Sequence, residues 1–176
     1  MIYSRQEIED ALRDNWDEVH AFVRDLSGND FVRSPAGKWS PGQHVEHLIR
    51  SAVPLRKALG YPRFALRWLI GKPNRPSRDF NTTEARYQEK LKAGGAASGR
   101  YTPPAIPAAA QSSVLATYLQ ERDRMLHQLR RWDDDALEKY LMPHPLLGKV
   151  TVREMMFFTT FHTAHHLRLI RRDLGR

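Results

Sequence analysis

The chain has 176 residues, 28 Lys and Arg against 20 Asp and Glu, and no cysteine. That length suffices for one domain with a full core spanning residues 1–176, and a net charge of +8 with neutral histidines keeps a nucleic-acid or acidic partner in view. The lack of cysteine excludes disulfides, thiolate metal sites and a cysteine nucleophile, so any metal must be held by nitrogen or oxygen.

No secretory signal pattern opens the chain, and no stretch reaches the ~18 apolar residues that read as a membrane span. A cytoplasmic protein without membrane contact is therefore expected. Three of four long helical patterns open with a Ser/Thr-x-x-Glu/Gln capping box: Ser4 with Glu7, Ser40 with Gln43, and Thr151 with Glu154. In the first, Ile8, Leu12, Trp16, Val19, Phe22, Val23 and Leu26 form one stripe, ended by Ser27-Gly28-Asn29. The second begins at Ser40-Pro41 and buries Val45, Leu48, Ile49, Ala52 and Leu55.

Residues 61–92 read as an excursion, with a short apolar helix over Phe64–Ile70 and a polar one over Thr83–Lys92. From Arg56 to Arg78 the chain carries Arg56, Lys57, Arg63, Arg67, Lys72, Arg75 and Arg78 and no acidic residue. The nearby Tyr61, Phe64 and Trp68 fit core packing as well as base stacking. Gly94–Ala110 is rich in Gly, Ala, Ser and Pro, a candidate lid or partner contact. A third long helix is predicted from Ser112 to Trp132, closed by Asp133, Asp134 and Asp135. Leu141–Gly148 reads as a proline-punctuated connector, and the last helix runs from Thr151 to Asp173. No strand alternation of comparable strength appears, so the expected class is all-α, a four-helix bundle.

His162 and His166 lie one turn apart on an otherwise apolar face of the last helix, beside Met155, Phe158 and Leu169. Burying two imidazoles there is costly unless each ring nitrogen finds a partner. His47, at the edge of the buried stripe of the second helix, is the best-placed third nitrogen. Three neutral imidazoles would suit zinc or nickel, with iron, copper or cobalt also compatible. His44 and His165 are near neighbours, read as outer or pocket-rim residues. No carboxylate falls on the ligand face, Glu46 pointing away, so no general base is assigned.

Trp39-Ser40-Pro41-Gly42-Gln43, then Glu46-His47-Leu48, with Phe161-His162-Thr163-Ala164-His165-His166, resemble the DinB and YfiT-like superfamily of four-helix proteins. His144-Pro145-Leu146-Leu147-Gly148-Lys149-Val150-Thr151 adds to the resemblance. It implies an up-down-down-up bundle with a divalent metal held by His47, His162 and His166. It also implies a metal-dependent enzyme acting on a small molecule, by hydrolysis or by transfer to a low-molecular-weight thiol, and a homodimer. Leu167-Arg168-Leu169 departs from the glycine-glutamine pair that often follows the last histidine in that family. Two other readings stay open: a bundle that binds metal or ligand without catalysis, and a basic binder of nucleic acid or an acidic partner through residues 56–78.

Overall fold

A computed structural model describes residues 3–35 and 37–176. Among them, α1 (Arg5–Arg24), α3 (Pro41–Leu59), α6 (Gln111–Leu129) and α8 (Val152–Leu174) are the long helices. All three capping boxes form, with Ser4, Ser40 and Thr151 accepting from the backbone amides of Glu7, Gln43 and Glu154. Shorter elements connect them: α2 (Gly28–Val32), α4 (Arg63–Ile70), α5 (Phe80–Lys92) and α7 (Asp134–Lys139).

Contacts between helix ends fix the direction of each. Near one end of α8 the Arg153 guanidinium donates to the Tyr3 carbonyl, and near the other Arg171 pairs with Glu18 at 2.9 Å, so α8 runs parallel to α1. Gln111, opening α6, donates to the carbonyls of Val23 and Leu26 at the end of α1, while Arg130 after α6 pairs with Glu9 at 2.6 Å. α6 is therefore antiparallel to α1. Trp132 Nε1 donates to the Leu59 carbonyl at 3.1 Å and Arg56 pairs with Glu121 at 2.7 Å, which sets α3 parallel to α6. The order is up-down-down-up. A parallel α3–α6 pair obliges the chain to travel back along the bundle between them, which is what residues 60–110 do.

Ile8, Leu12 and Val19 of α1, Val45 of α3, Tyr118, Met125 and Leu129 of α6, and Phe157 of α8 are completely enclosed in one core. Gly42 is required at the start of α3 because a Cβ there would lie 2.7 Å from Cζ of the buried Phe31. This close approach seats α2 against the helix that carries two of the histidines.

Several boundaries differ from the sequence reading. α1 ends at Arg24, and Ser27 caps α2 rather than closing the first helix. α6 ends at Leu129, and Asp133 caps α7 by accepting from the Ala136 amide. Leu141–Gly148 belongs to a hairpin, β1 (Leu141–His144) against β2 (Gly148–Thr151), paired from Leu141 with Thr151 to His144 with Gly148. Four-residue strands, one interrupted by Pro143, are too short for a period of two to register. On α4, Phe64 and Trp68 are 77% and 85% exposed, so these aromatics do not pack inward.

The basic segment is largely engaged within the fold. Arg56 holds Glu121, Arg63 donates to the Arg131 carbonyl and lies over the Trp132 ring, and Arg75 and Arg78 both pair with Glu154. Glu154 is fully buried and also accepts from the Thr151 amide, so one carboxylate caps α8 and anchors the excursion. Its removal leaves two partly buried guanidinium groups without their acceptor. Glu154→Ala is expected to cost about 3 kcal/mol, read by urea denaturation. A loss below about 0.5 kcal/mol, as for an ordinary surface substitution, would show that the network contributes nothing net.

Candidate metal centre

His47 projects from the second turn of α3, and His162 and His166 from successive turns of the antiparallel α8. The two helices thus bring together residues more than a hundred positions apart. All three imidazoles are buried, at 5%, 4% and 5% exposure, and one ring nitrogen from each lies within 4.8 Å of the others. His162 Nε2 is 3.2 Å from His47 Nε2 and 3.0 Å from His166 Nε2. Metal–nitrogen bonds of about 2.0–2.1 Å meeting at octahedral to tetrahedral angles place ligand nitrogens roughly 2.9–3.4 Å apart. Both of these spacings fall in that interval, and the His47 and His166 nitrogens lie within 4.8 Å of each other.

Hydrogen bonding outside the cluster decides where the protons sit. His47 Nδ1 is 2.7 Å from the Tyr101 carbonyl oxygen, which can only accept, so Nδ1 carries the proton and Nε2 presents its lone pair inward. His166 Nδ1 is 2.8 Å from His44 Nδ1, and when His166 donates there its Nε2 also turns a lone pair to the centre. A single proton on His162 Nε2 could satisfy at most one of these two acceptors. A cation between the three nitrogens satisfies all of them, so the residues fit a metal.

Burial pushes the pKa of His162 and His166 well below the ordinary value, reinforced by the neighbouring imidazoles, and burial also lowers that of His47. Neutral rings are the form a metal needs. Trp39 packs over the set, its ring 4.9 Å from that of His47 and 6.1 Å from that of His166, and Phe158 stacks on His162 at 4.7 Å.

A cavity of about 320 Å³ adjoins the centre. His162 and Ser51 reach it from the metal side, and Leu48, Leu55, Met155 and Phe158 make most of its wall apolar. Residues Ala96–Ser98, Arg100 and Tyr101 close another side. The Gly94–Ala110 segment is thus a wall of the site as well as the support of His47. Arg50 ties it down, pairing with Glu46 at 2.6 Å and donating to the carbonyls of Arg100 and Thr102.

The DinB superfamily model matches residues 11–170, nearly the whole chain. The protein belongs to the DinB superfamily. YfiT from Bacillus subtilis, described as a probable metal-dependent hydrolase with an unusual four-helix bundle topology, superposes with a TM-score of 0.59. The match covers 97% of this chain and 87% of that one at 18% identity, a likeness of fold. No curated protein matches the sequence.

Within this DinB-superfamily member the structure assembles His47, His162 and His166, as the motif pairing predicts. His44 stands behind His166 as its hydrogen-bond partner, whereas His165 is only half-buried, its ring 5.4 Å from that of His166, and outside the cluster. Two contributors were given no site role from the sequence. Tyr101 acts through its backbone carbonyl, which no side-chain pattern announces. His144 lines the cavity from the hairpin that the sequence did not reveal.

Proposed function

We propose that the protein is a metal-dependent enzyme that acts on a small, largely apolar molecule, with zinc or nickel held by His47, His162 and His166. The convergence of three ring nitrogens, one of them locked as an inward lone pair by the Tyr101 carbonyl, is the observation that carries this reading. A divalent ion with three neutral ligands keeps its full charge, which acidifies water or a thiol and so serves hydrolysis or thiol transfer.

The chain's own groups prepare the site. Tyr101 and His44 orient the ligand rings, Trp39 and Phe158 shield them from water, and Leu48, Leu55 and Met155 shape a compartment for the apolar part of a substrate. Among the described residues the cluster consists of the three histidines alone. The family membership and the metal-dependent description of YfiT support the same reading.

Elemental analysis of the purified protein tests it. About one equivalent of a transition metal is expected, absent from a folded His47→Ala/His162→Ala/His166→Ala variant. The metal-loaded protein is then screened on esters, amides and thiol conjugates. No metal uptake after supply of zinc and nickel would defeat the reading. Uptake without turnover of any class would leave a metal-binding bundle.

A further inference from the structure

His144 ends β1 and lines the cavity beside the metal centre. The backbone amides of Leu146 and Leu147 donate to its Nδ1 at 3.1 and 3.0 Å. Both partners are donors, so Nδ1 must present its lone pair and the neutral ring carries its proton on Nε2. Burial holds the ring neutral, with a pKa pushed down to about 4. The ring meets Phe158 at 4.2 Å and Tyr87 at 6.1 Å, the same two aromatics that meet His162 at 4.7 and 6.1 Å.

Among the described residues, none accepts a hydrogen bond from His144 Nε2, although the residue is only 8% exposed. The atom is not sealed in the interior but opens to the cavity, so this N–H is free to meet a ligand there in place of water. Two hydroxyls of the cavity wall are already committed: Thr159 and Thr163 donate to the Met155 and Thr159 carbonyls within α8.

We propose that His144 Nε2–H is the donor that selects the cavity's ligand, a small apolar molecule bearing a hydrogen-bond-accepting oxygen such as a ketone, ester or amide carbonyl. Met142, Pro143, Leu146, Met155 and Phe158 receive the apolar body and His144 fixes the position of the oxygen. This rests on the reading of the cavity as the substrate compartment. It does not require the metal to be present.

Acetophenone and ethylbenzene, alike in shape and differing in the carbonyl, are suitable probes. They are titrated into chelator-treated protein labelled with 15N-histidine, which removes any polarisation of the carbonyl by a metal. The wild type should bind acetophenone roughly five- to tenfold more tightly, the worth of one hydrogen bond, with the His144 Nε2–H resonance moving downfield. His144→Asn places an amide oxygen where Nδ1 accepts from the turn amides but is too short to reach the cavity. It should fold and lose the preference for acetophenone, binding ethylbenzene at least as tightly, because the carbonyl is then buried without a partner.

Equal binding by the wild type, binding of neither probe at millimolar concentration, or a His144 proton found on Nδ1 would each overturn the proposal. Should the asparagine variant fail to fold, the wild-type comparison and the nitrogen spectrum still decide it. A failure of the metal reading would appear in the elemental analysis and leave this comparison intact.

Discussion

In a His162→Ala variant, zinc or nickel no longer raises the unfolding temperature. The wild type, if it holds the ion only when folded, gains about 2.7 kcal/mol at a free-metal concentration one hundred times Kd. For a chain of this size each kcal/mol moves the midpoint by roughly 2–4 °C, so the metal-dependent shift should be about 5–10 °C. His162 is the decisive position because its Nε2 lies beside both other ligand nitrogens. Losing even an outer partner of a ligand costs about 10–100-fold in metal affinity, and losing the ligand itself costs more, enough to abolish the shift.

The metal-free variant should remain folded. Phe158 and Tyr87 lose a ring against which they pack, but the core also loses a buried imidazole that needed a partner. Neighbouring substitutions sharpen the test. His44→Ala, removing the contact to His166 Nδ1, should weaken the metal by about 10–100-fold and shrink the shift, whereas His165→Ala should leave it unchanged. A full shift in His162→Ala would place the ion elsewhere and sink the assignment.

The contrast between His47 and Tyr101 shows what could be foreseen. The i, i+4 spacing of His162 and His166 on an apolar face is a local pattern, and His47 sits beside its own capping box, so both halves of the centre are legible in the sequence. Which nitrogen of His47 faces the metal depends on a backbone carbonyl 54 positions away, a contact set by chain path rather than residue type. His144 belongs to a block that carries the family resemblance, but its place in the site was hidden for a related reason. Its role comes from a turn in which Gly148 takes a positive φ of 73° and from strands too short to show alternation. Part of the basic run from Arg56 to Arg78 has a structural use that charge counts do not reveal, since Arg75 and Arg78 converge on the buried Glu154.

Acid should unfold the protein in a window set by its histidines before its carboxylates. His44 and His144 are held to a pKa of about 4, chiefly by burial, against an ordinary value of 6.5. Between those values the unfolded chain takes up protons that the folded one does not, so stability falls as pH drops from 6.5 to 4 and is fully present above 6.5. Each pKa unit is worth about 1.36 kcal/mol, so either residue removes about 3 kcal/mol across the window. Two such losses approach the whole 5–15 kcal/mol typical of a domain, and His162 and His166 act in the same direction.

The carboxylates of Glu9, Glu121 and Asp173, lowered by their arginine partners, withdraw their stabilisation only below their ordinary 3.8–4.5. The two regimes therefore separate on the pH axis. Urea denaturation at intervals from pH 7.5 to 4.5 should show the decline, and His144→Asn, which retains the turn but cannot bind the proton, should reduce its slope by about 1.36 kcal/mol per pH unit. Stability that stays flat from pH 7 to 5 would mean that the imidazoles are hydrated or already charged in the native protein. Zinc should steepen the decline in the wild type, because protons and the ion compete for the same ring nitrogens.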